Sequence, residues 1–202
     1  STALIQSLAN QGIEVIFSLS GNQIMPLYDA CIDANIRIIH TRHEGAAVYM
    51  AEAYAQMTGK IGVALVTAGP GLLNAVSALY SAAQSETPLL LISGDAASHL
   101  DGRGAFQELD QISVTSPITK FSARPTQSPD MLPALAAAMS TALGGTPGPV
   151  HLALPFDMLS APHADDPLPA MPCLKASGLS PMQLNKLVTA LSDASQPIVI
   201  TG

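Results

Sequence analysis

The sequence predicts a doubly wound α/β domain, a mostly parallel sheet flanked by helices, followed by a linker and the start of a second α/β domain. Three observations carry this expectation. Short apolar runs alternate with segments of helical period along residues 1–160. The runs are apolar throughout rather than at every second position, as strands are when both faces of a parallel sheet are covered. Past Pro155 the composition turns Pro-rich, and a fresh helix and apolar run follow.

In chain order, Leu4 and Leu8 mark a short helix that Gly12 ends. Glu14–Phe17 reads as a strand, with Ser18–Gly21 its exit loop. Ile24, Leu27, Tyr28, Cys31 and Ile32 recur at helical spacing, and Ile36–His40 forms a second β-branched run. The Ala-rich stretch His43–Thr58 predicts a long helix. Its inner face is expected at Ala47, Met50, Ala51, Tyr54 and Met57, with Gly59 at the C′ position. Ile61–Thr67 is a third strand, Leu72–Ala83 a helix, and Leu89–Ile92 a fourth strand between Pro88 and Ser93-Gly94. Pro117–Ser122, Met131–Leu143 and Pro149–Leu154 complete the series as strand, helix and strand.

Pro162, Pro167, Pro169 and Pro172, with the solvated Asp165 and Asp166, read as an extended linker over 161–179. Ser180-Pro181 opens a helix carrying Leu184, Leu187, Val188 and Leu191, and 197–202 reads as a strand. The expected organisation is one domain over 1–160, the linker, and the beginning of a further domain over 180–202. One helix and one strand cannot form a core of their own, so the sequence reads as part of a longer protein.

Hydrophobic residues make up 48% and charged residues 11%, which points to a surface partly covered by other protein. Fifteen acidic against eight basic side chains, a net charge of -7, argue against a nucleic-acid partner. Cys31 and Cys173 lack any pairing or CxxC spacing, which suits a reduced compartment. No run approaches the ~18 apolar residues of a membrane span, and the N-terminus lacks the shape of a signal peptide. A soluble, cytoplasmic protein is expected.

In open parallel sheets ligands bind beyond the carboxyl ends of the strands. Four loops qualify: Ser18–Gln23, Thr41–Gly45, Thr67–Asn74 and Ser93–Gln107. The first three lead into helix N-termini, where free N–H groups meet polar ligand atoms. Glu44 is the only acidic side chain in those three. Taken alone, it reads either as a helix-start carboxylate or as a functional group. His43-Glu44 is not an HExxH zinc motif, because Gly45, Ala46 and Ala47 follow; the remaining histidines are scattered, and no metal site is expected. Gly69-Pro70-Gly71 fits neither a P-loop nor GxGxxG, and no GxSxG elbow occurs. Ser18 and Ser20 read as loop hydrogen-bonders.

Several ordered motifs together are more specific than any one. Arg42-His43-Glu44, Ala51-Glu52-Ala53-Tyr54-Ala55, Thr58-Gly59-Lys60 and Thr67-Ala68-Gly69-Pro70-Gly71 with Asn74 come first. Thr87-Pro88-Leu89-Leu90, Ala105–Gln111, Thr119-Lys120 and Gly148-Pro149-Val150 follow in order. The sequence resembles the N-terminal, pyrimidine-binding domain of thiamine-diphosphate enzymes of the acetolactate synthase type. The resemblance covers residues 1 to about 160, and the last ~20 look like the opening of that family's central domain.

The resemblance implies a carboligase or decarboxylase acting on 2-oxo acids of the pyruvate class through an enamine, with an aldehyde or ketone acceptor. It gives Glu44 the role of cofactor activator, hydrogen-bonded to N1′ of the aminopyrimidine in a water-poor pocket. Pro70, Gly71 and Asn74 match positions near that ring, Gly21 matches the loop lining the reaction centre, and Gln107 matches a substrate-facing glutamine. Phe106 beside it reads as a pocket residue or a core anchor. Two departures bear on the acceptor. Asn22 stands where acetolactate synthases carry a small residue, and Leu154-Pro155-Phe156-Asp157 lacks their lysine. Phe156 resembles relatives such as benzaldehyde lyase, so a lyase or a simple decarboxylase is the alternative; a non-catalytic paralogue is the alternative of another class. The resemblance further implies magnesium and a GDG…N-type diphosphate site in a C-terminal domain, a homodimer or homotetramer, and a central domain that holds FAD in some relatives and not in others.

Overall fold

The structure, a computed structural model, describes residues 1–161 and 178–199. Six parallel strands form one sheet: β1 (Val15–Ser18), β2 (Arg37–His40), β3 (Gly62–Val66), β4 (Leu89–Asp95), β5 (Phe121–Ala123) and β6 (Pro149–Pro155). Their order is β2-β1-β3-β4-β6-β5. The chain reverses its direction of travel across the sheet between β1 and β3. This is the point at which the connections diverge and leave a crevice at the strand ends.

The helices are α1 (Thr2–Asn10), α2 (Met25–Asp33), α3 (Glu44–Thr58), α4 (Pro70–Gln84), α5 (Gln111–Thr115), α6 (Met131–Leu143), α7 (Phe156–Ser160) and α8 (Pro181–Asp193). Alternate strand residues feed two cores, because successive side chains point to opposite faces. Ile16, Leu65, Leu90 and Leu152 pack with Leu4, Leu27 and Leu135 of α1, α2 and α6. Phe17, Ala64, Val66 and Leu91 pack with Ala47, Ala51, Leu72 and Leu79 of α3 and α4. Covered on both faces, β1, β3, β4 and β6 are buried at every position, and the doubly wound α/β expectation holds.

Three expectations within residues 1–160 need correction. The inner face of α3 is Ala47, Val48, Ala51 and Ala55, with Glu44 and Glu52, while Met50 and Met57 are exposed. Packing selects the small face: a Cβ on Gly62 would lie 2.1 Å from the Ala51 carbonyl oxygen, so α3 rests directly on β3 backbone. Tyr54 is half-buried against Phe17, with ring centroids 5.9 Å apart. On α2, Ile32 is exposed rather than inward. The strand expected over Pro117–Ser122 starts only at Phe121, because Ser116–Ile118 forms a 3₁₀ turn around Pro117, which has no N–H for a ladder.

The helix expected after Ser180 is α8, opened by a capping box in which Ser180 and Gln183 satisfy each other's backbone N–H. Every described side chain from 178 to 199 is exposed, Leu184, Leu187, Val188 and Leu191 included. Residues 197–199 form no strand; 200–202 and the linker stretch 162–177, with Cys173, lie outside the described residues. Among the described residues no helix is long and apolar enough to cross a membrane.

A buried polar chain links β4, β6 and α5. His151 is fully buried, its Nε2 2.8 Å from Ser93 Oγ and its Nδ1 2.8 Å from Thr115 Oγ1. Ser93 gives its one proton to Gln111 Oε1 (2.6 Å), so it must accept from His151 Nε2–H, and Nδ1 then accepts from Thr115. The imidazole is neutral, and burial pulls its pKa down to about 3. As pH falls from 6.5 toward 3 the unfolded chain takes up this proton and the folded one does not. Stability present above pH 6.5 should therefore drain at about 1.4 kcal/mol per pH unit. Urea unfolding of wild type and His151→Gln between pH 7 and 4.5 checks this: the variant, though weaker at pH 7, should show the shallower decline, and equal slopes would refute it.

Candidate active site

The exits of β1, β2 and β3 converge at the sheet's carboxyl edge. Glu44 opens α3 there, where the helix dipole favours a carboxylate, and it is 8% exposed. His43 caps the helix by accepting from Gly45 N–H at 3.0 Å. Asn74, one turn into α4, donates from Nδ2 to Glu44 Oε2 at 3.0 Å. The other oxygen, Oε1, has no hydrogen-bond partner among the described residues. It lies 3.7 Å from where a Cβ on Gly71 would stand, a position also 2.7 Å from Thr67 Cγ2. The carboxylate is thus held by one oxygen and open at the other, above backbone that carries no side chain.

Gly21 closes the same crevice from the β1 side. Its backbone is extended, so contact rather than conformation requires the glycine: a Cβ there would sit 2.3 Å from Thr67 Cβ. Gly69, at φ 55°, faces the backbone of Gln107, whose carbonyl oxygen would be 3.0 Å from an added Cβ. Gln107 itself has φ 64°, a left-handed conformation costly for a side chain and typical of places where the surroundings enforce geometry.

The segment between β4 and α5 is enforced at three points. Arg124 Nε donates to Asp95 Oδ2 at 2.5 Å and its Nη2 to Asp101 Oδ1 at 2.8 Å. Asp157 accepts from Ser98 N–H (3.0 Å) and Oγ (2.6 Å). Partial burial pushes the Asp157 pKa up, but the Ser98 hydroxyl and N–H outweigh it, and the net direction is down. Glu108 accepts from the N–H groups of Gly102 and Ala105, which hold its pKa below the usual range.

Glu44, Gly71 and Asn74 are therefore brought together, with Gly21 joined through Thr67 and Gln107 through Gly69. Pro70 is exposed at the first turn of α4. Asn22 and Phe156 line a separate open cleft of about 650 Å³ with Met25, Pro26, Asp29 and Leu159. Phe106 is 80% exposed at the tip of its segment, which rules out the core-anchor reading. Asp157, standing in the motif where a lysine was looked for, is tied to Ser98. Two residues escaped the sequence reading. Thr67 and Gln23 are buried at the crevice, the Thr67 hydroxyl donating to Gln23 Oε1 at 2.8 Å. Thr67 lay inside a quoted motif; Gln23, between Asn22 and the helical run beginning at Ile24, gave no signal of its own. Ser18 hydrogen-bonds the Leu65 carbonyl, as a loop residue should. Among the described residues no group of three or more His, Cys, Asp and Glu could hold a metal ion.

A free carboxylate oxygen over glycine backbone suits a ligand that offers a ring nitrogen or N–H. Residues 1–114 match the family model described as thiamine pyrophosphate enzyme, N-terminal TPP binding domain. The chain belongs to this family. It is 36% identical over 234 aligned positions to 2-hydroxyacyl-CoA lyase 2 of Homo sapiens, covering 96% of this chain and 36% of that protein. To the Bos taurus 2-hydroxyacyl-CoA lyase 2 it is 47% identical over 152 residues, 75% of this chain and 24% of that protein. To the acetolactate synthase large subunit of Lactococcus lactis subsp. lactis (strain IL1403) it is 37% identical over 206 residues, 100% of this chain and 36% of that one. Among solved structures, the Rhodococcus jostii RHA1 thiamine diphosphate-dependent 4-hydroxybenzoylformate decarboxylase superposes with a TM-score of 0.87 at 28% identity, covering 98% of this chain and 38% of that chain. The chain thus spans between about a quarter and two fifths of the length of these proteins.

The Gly21–Thr67 contact yields a direct expectation. Gly21→Ala must push the β1 exit away from β3, at a cost of about 1–3 kcal/mol, whereas Gly12→Ala, with nothing near its Cβ but φ at 79°, is strained only by its own backbone. Denaturant unfolding in a double-mutant cycle with Thr67→Gly checks this: with Thr67 Cβ, Oγ1 and Cγ2 gone, Gly21→Ala should cost less than in the wild-type background, and an equal cost would place the strain elsewhere.

Proposed function

We propose that Glu44 activates thiamine diphosphate and that the full-length protein uses it to cleave a carbon–carbon bond beside a carbonyl, as a lyase. The observation that carries the first part is the half-coordinated carboxylate, one oxygen fixed by Asn74 and the other free over the backbone of Gly71. When bound, the cofactor supplies the nucleophilic carbon and the electron sink. Glu44 Oε1 would take the hydrogen bond to the aminopyrimidine, and Asn74, bonded to Oε2, would hold the carboxylate in place for it. Gly71, without a side chain beside Glu44 Oε1, would let the ring approach the backbone there. Gln107, held in its strained turn, faces the substrate. Magnesium and the diphosphate belong to a further domain of the full-length protein, and the crevice is closed in a homodimer or larger homo-oligomer.

The lyase direction is supported by the cleft that joins Asn22 and Phe156. It carries no Lys or Arg side chain and includes the carboxylate of Asp29, a poor setting for the carboxylate of a second 2-oxo acid. The relatives named 2-hydroxyacyl-CoA lyase 2 favour the same direction. The second reading, condensation of 2-oxo acids as in acetolactate synthase, is supported by the match to that enzyme along the whole chain.

Two measurements on the full-length enzyme separate these statements. Glu44→Gln should slow hydrogen–deuterium exchange at C2 of bound thiamine diphosphate and lower kcat, each by about 10²–10⁴-fold; unchanged exchange would move activation to another group. Incubated with 2-hydroxyoctanoyl-CoA the enzyme should release an aldehyde, and with pyruvate alone it should form no acetolactate. The reverse pattern would establish the synthase reading instead.

A further inference from the structure

We infer that Gln23 is a further substrate-facing residue, donating an amide N–H to the oxygen on the reacting carbon; this rests on the thiamine-diphosphate reading above. Gln23 follows β1 in a 3₁₀ turn and is 7% exposed. Its Oε1 is taken by the Thr67 hydroxyl, and its Nε2 has no acceptor among the described residues. Among the described residues Ser7 Oγ is the one side-chain polar atom both sealed from solvent and unpartnered, so Gln23 Nε2, unpaired but not sealed, is reachable and free to meet an acceptor brought by a ligand.

The surroundings give that N–H its direction. Thr67 spends its single proton on Oε1, which fixes the amide plane and turns Nε2 away from Thr67. Space for the side chain comes from Gly94 at the end of β4, where an added Cβ would lie 2.7 Å from Gln23 Cβ and 2.9 Å from Ile24 Cγ2. Gln23 also stands at a seam. Gly21 touches Thr67, whose methyl packs over Gly71 beside Glu44, and Asn22 lines the cleft with Phe156. Gln23 is thus bonded to the residue that touches Gly71 beside Glu44 and is next in sequence to a residue that lines the cleft.

Chemically, a neutral donor favours an oxygen that gains negative charge as a carbonyl is attacked, without adding a cation that would select a carboxylate. The substrate class is therefore a neutral aldehyde or 2-hydroxy carbonyl compound, in keeping with a cleft at Asn22 that carries no Lys or Arg side chain and includes the Asp29 carboxylate. The rival role is a bracket: Gln23 would merely tie the β1 exit to β3 through Thr67.

Gln23→Glu distinguishes the roles, because it keeps the shape and the acceptor for Thr67 but loses the donor. In the full-length holoenzyme we expect kcat for 2-hydroxyoctanoyl-CoA, or for pyruvate if product analysis selects it, to fall about 10²-fold. Cofactor C2 exchange and the unfolding midpoint should stay within twofold and a few degrees of wild type. Gln23→Leu, lacking both amide groups, should lose as much turnover and some stability. Wild-type turnover in Gln23→Glu, or turnover and C2 exchange falling together, would overturn the inference and leave the bracket. Failure of the Glu44 reading registers separately, as exchange that survives Glu44→Gln.

Discussion

The contact between α3 and α4 is the constraint on which the site depends. The two helices leave β2 and β3, strands separated by β1, and must converge for residue 44 to meet residue 74. Convergence is possible because both facing surfaces are small: Ala47, Ala51 and Ala55 on one helix, Ala75, Ala78 and Ala82 on the other. Two carboxylates sit on the α3 face, and both find donors on α4. Glu52 Oε1 accepts from Ser85 Oγ at 2.7 Å and Ser81 Oγ at 3.3 Å, and from Gln56 Nε2 at 3.4 Å. Hydrogen bonds to a charged acceptor are worth about 1.5–3 kcal/mol each, enough to lock the helical register at that end. Glu44, eight residues earlier, receives one donor where Glu52 receives three. The asymmetry separates a structural carboxylate from one with an oxygen to spare.

A second constraint is the long return from β4 to α5. An unsupported loop would not hold a glutamine at φ 64°. Here the strain is offset by ionic and charge-assisted bonds at Asp95, Asp101, Asp157 and Glu108 and by the buried anchor of Gln111, whose amide bonds Ser93 Oγ and the Gly94 carbonyl. His151 stands behind Ser93 in the same chain of bonds. The acidic residues that give the protein its negative balance thus serve in part as internal fasteners, each meeting a backbone N–H, a hydroxyl or Arg124.

The strands and the loops of the site were legible because each is a local signal. An apolar run, a glycine after it and a helix start all fall within about ten residues. The Ala-rich α3 shows where that reading weakens. Hydrophobicity favours Met50 and Met57 as inward, yet close packing on Gly62 and α4 favours the smallest side chains, and size prevailed. Pro117 hid the late start of β5 inside an apolar run. Gln23 and Gln107 were opaque for a different reason. The burial of one depends on Thr67, 44 positions away, and the backbone of the other on contacts with Gly69; neither partner is implied by adjacent residues.

The exposed side chains near Glu44 bear on how the site works. Tyr49, Met50 and Leu73 lie on the same two helices and face outward, and Asn74 is itself exposed although it holds a buried carboxylate. A carboxyl that manages a proton on a heterocycle needs an environment poorer in water than this open edge offers. Burial of Glu44 comes from below, through Thr67, Gly71 and the strand ends, while the side of Leu73 and Asn74 stays accessible. Under the proposed reading the missing wall is the surface that carries the diphosphate. Docking it over α3 and α4 would remove apolar area from water and dry the carboxylate in one event. Under that reading assembly and activation would be the same physical step, and the low charge and exposed apolar side chains beside Glu44 would suit it.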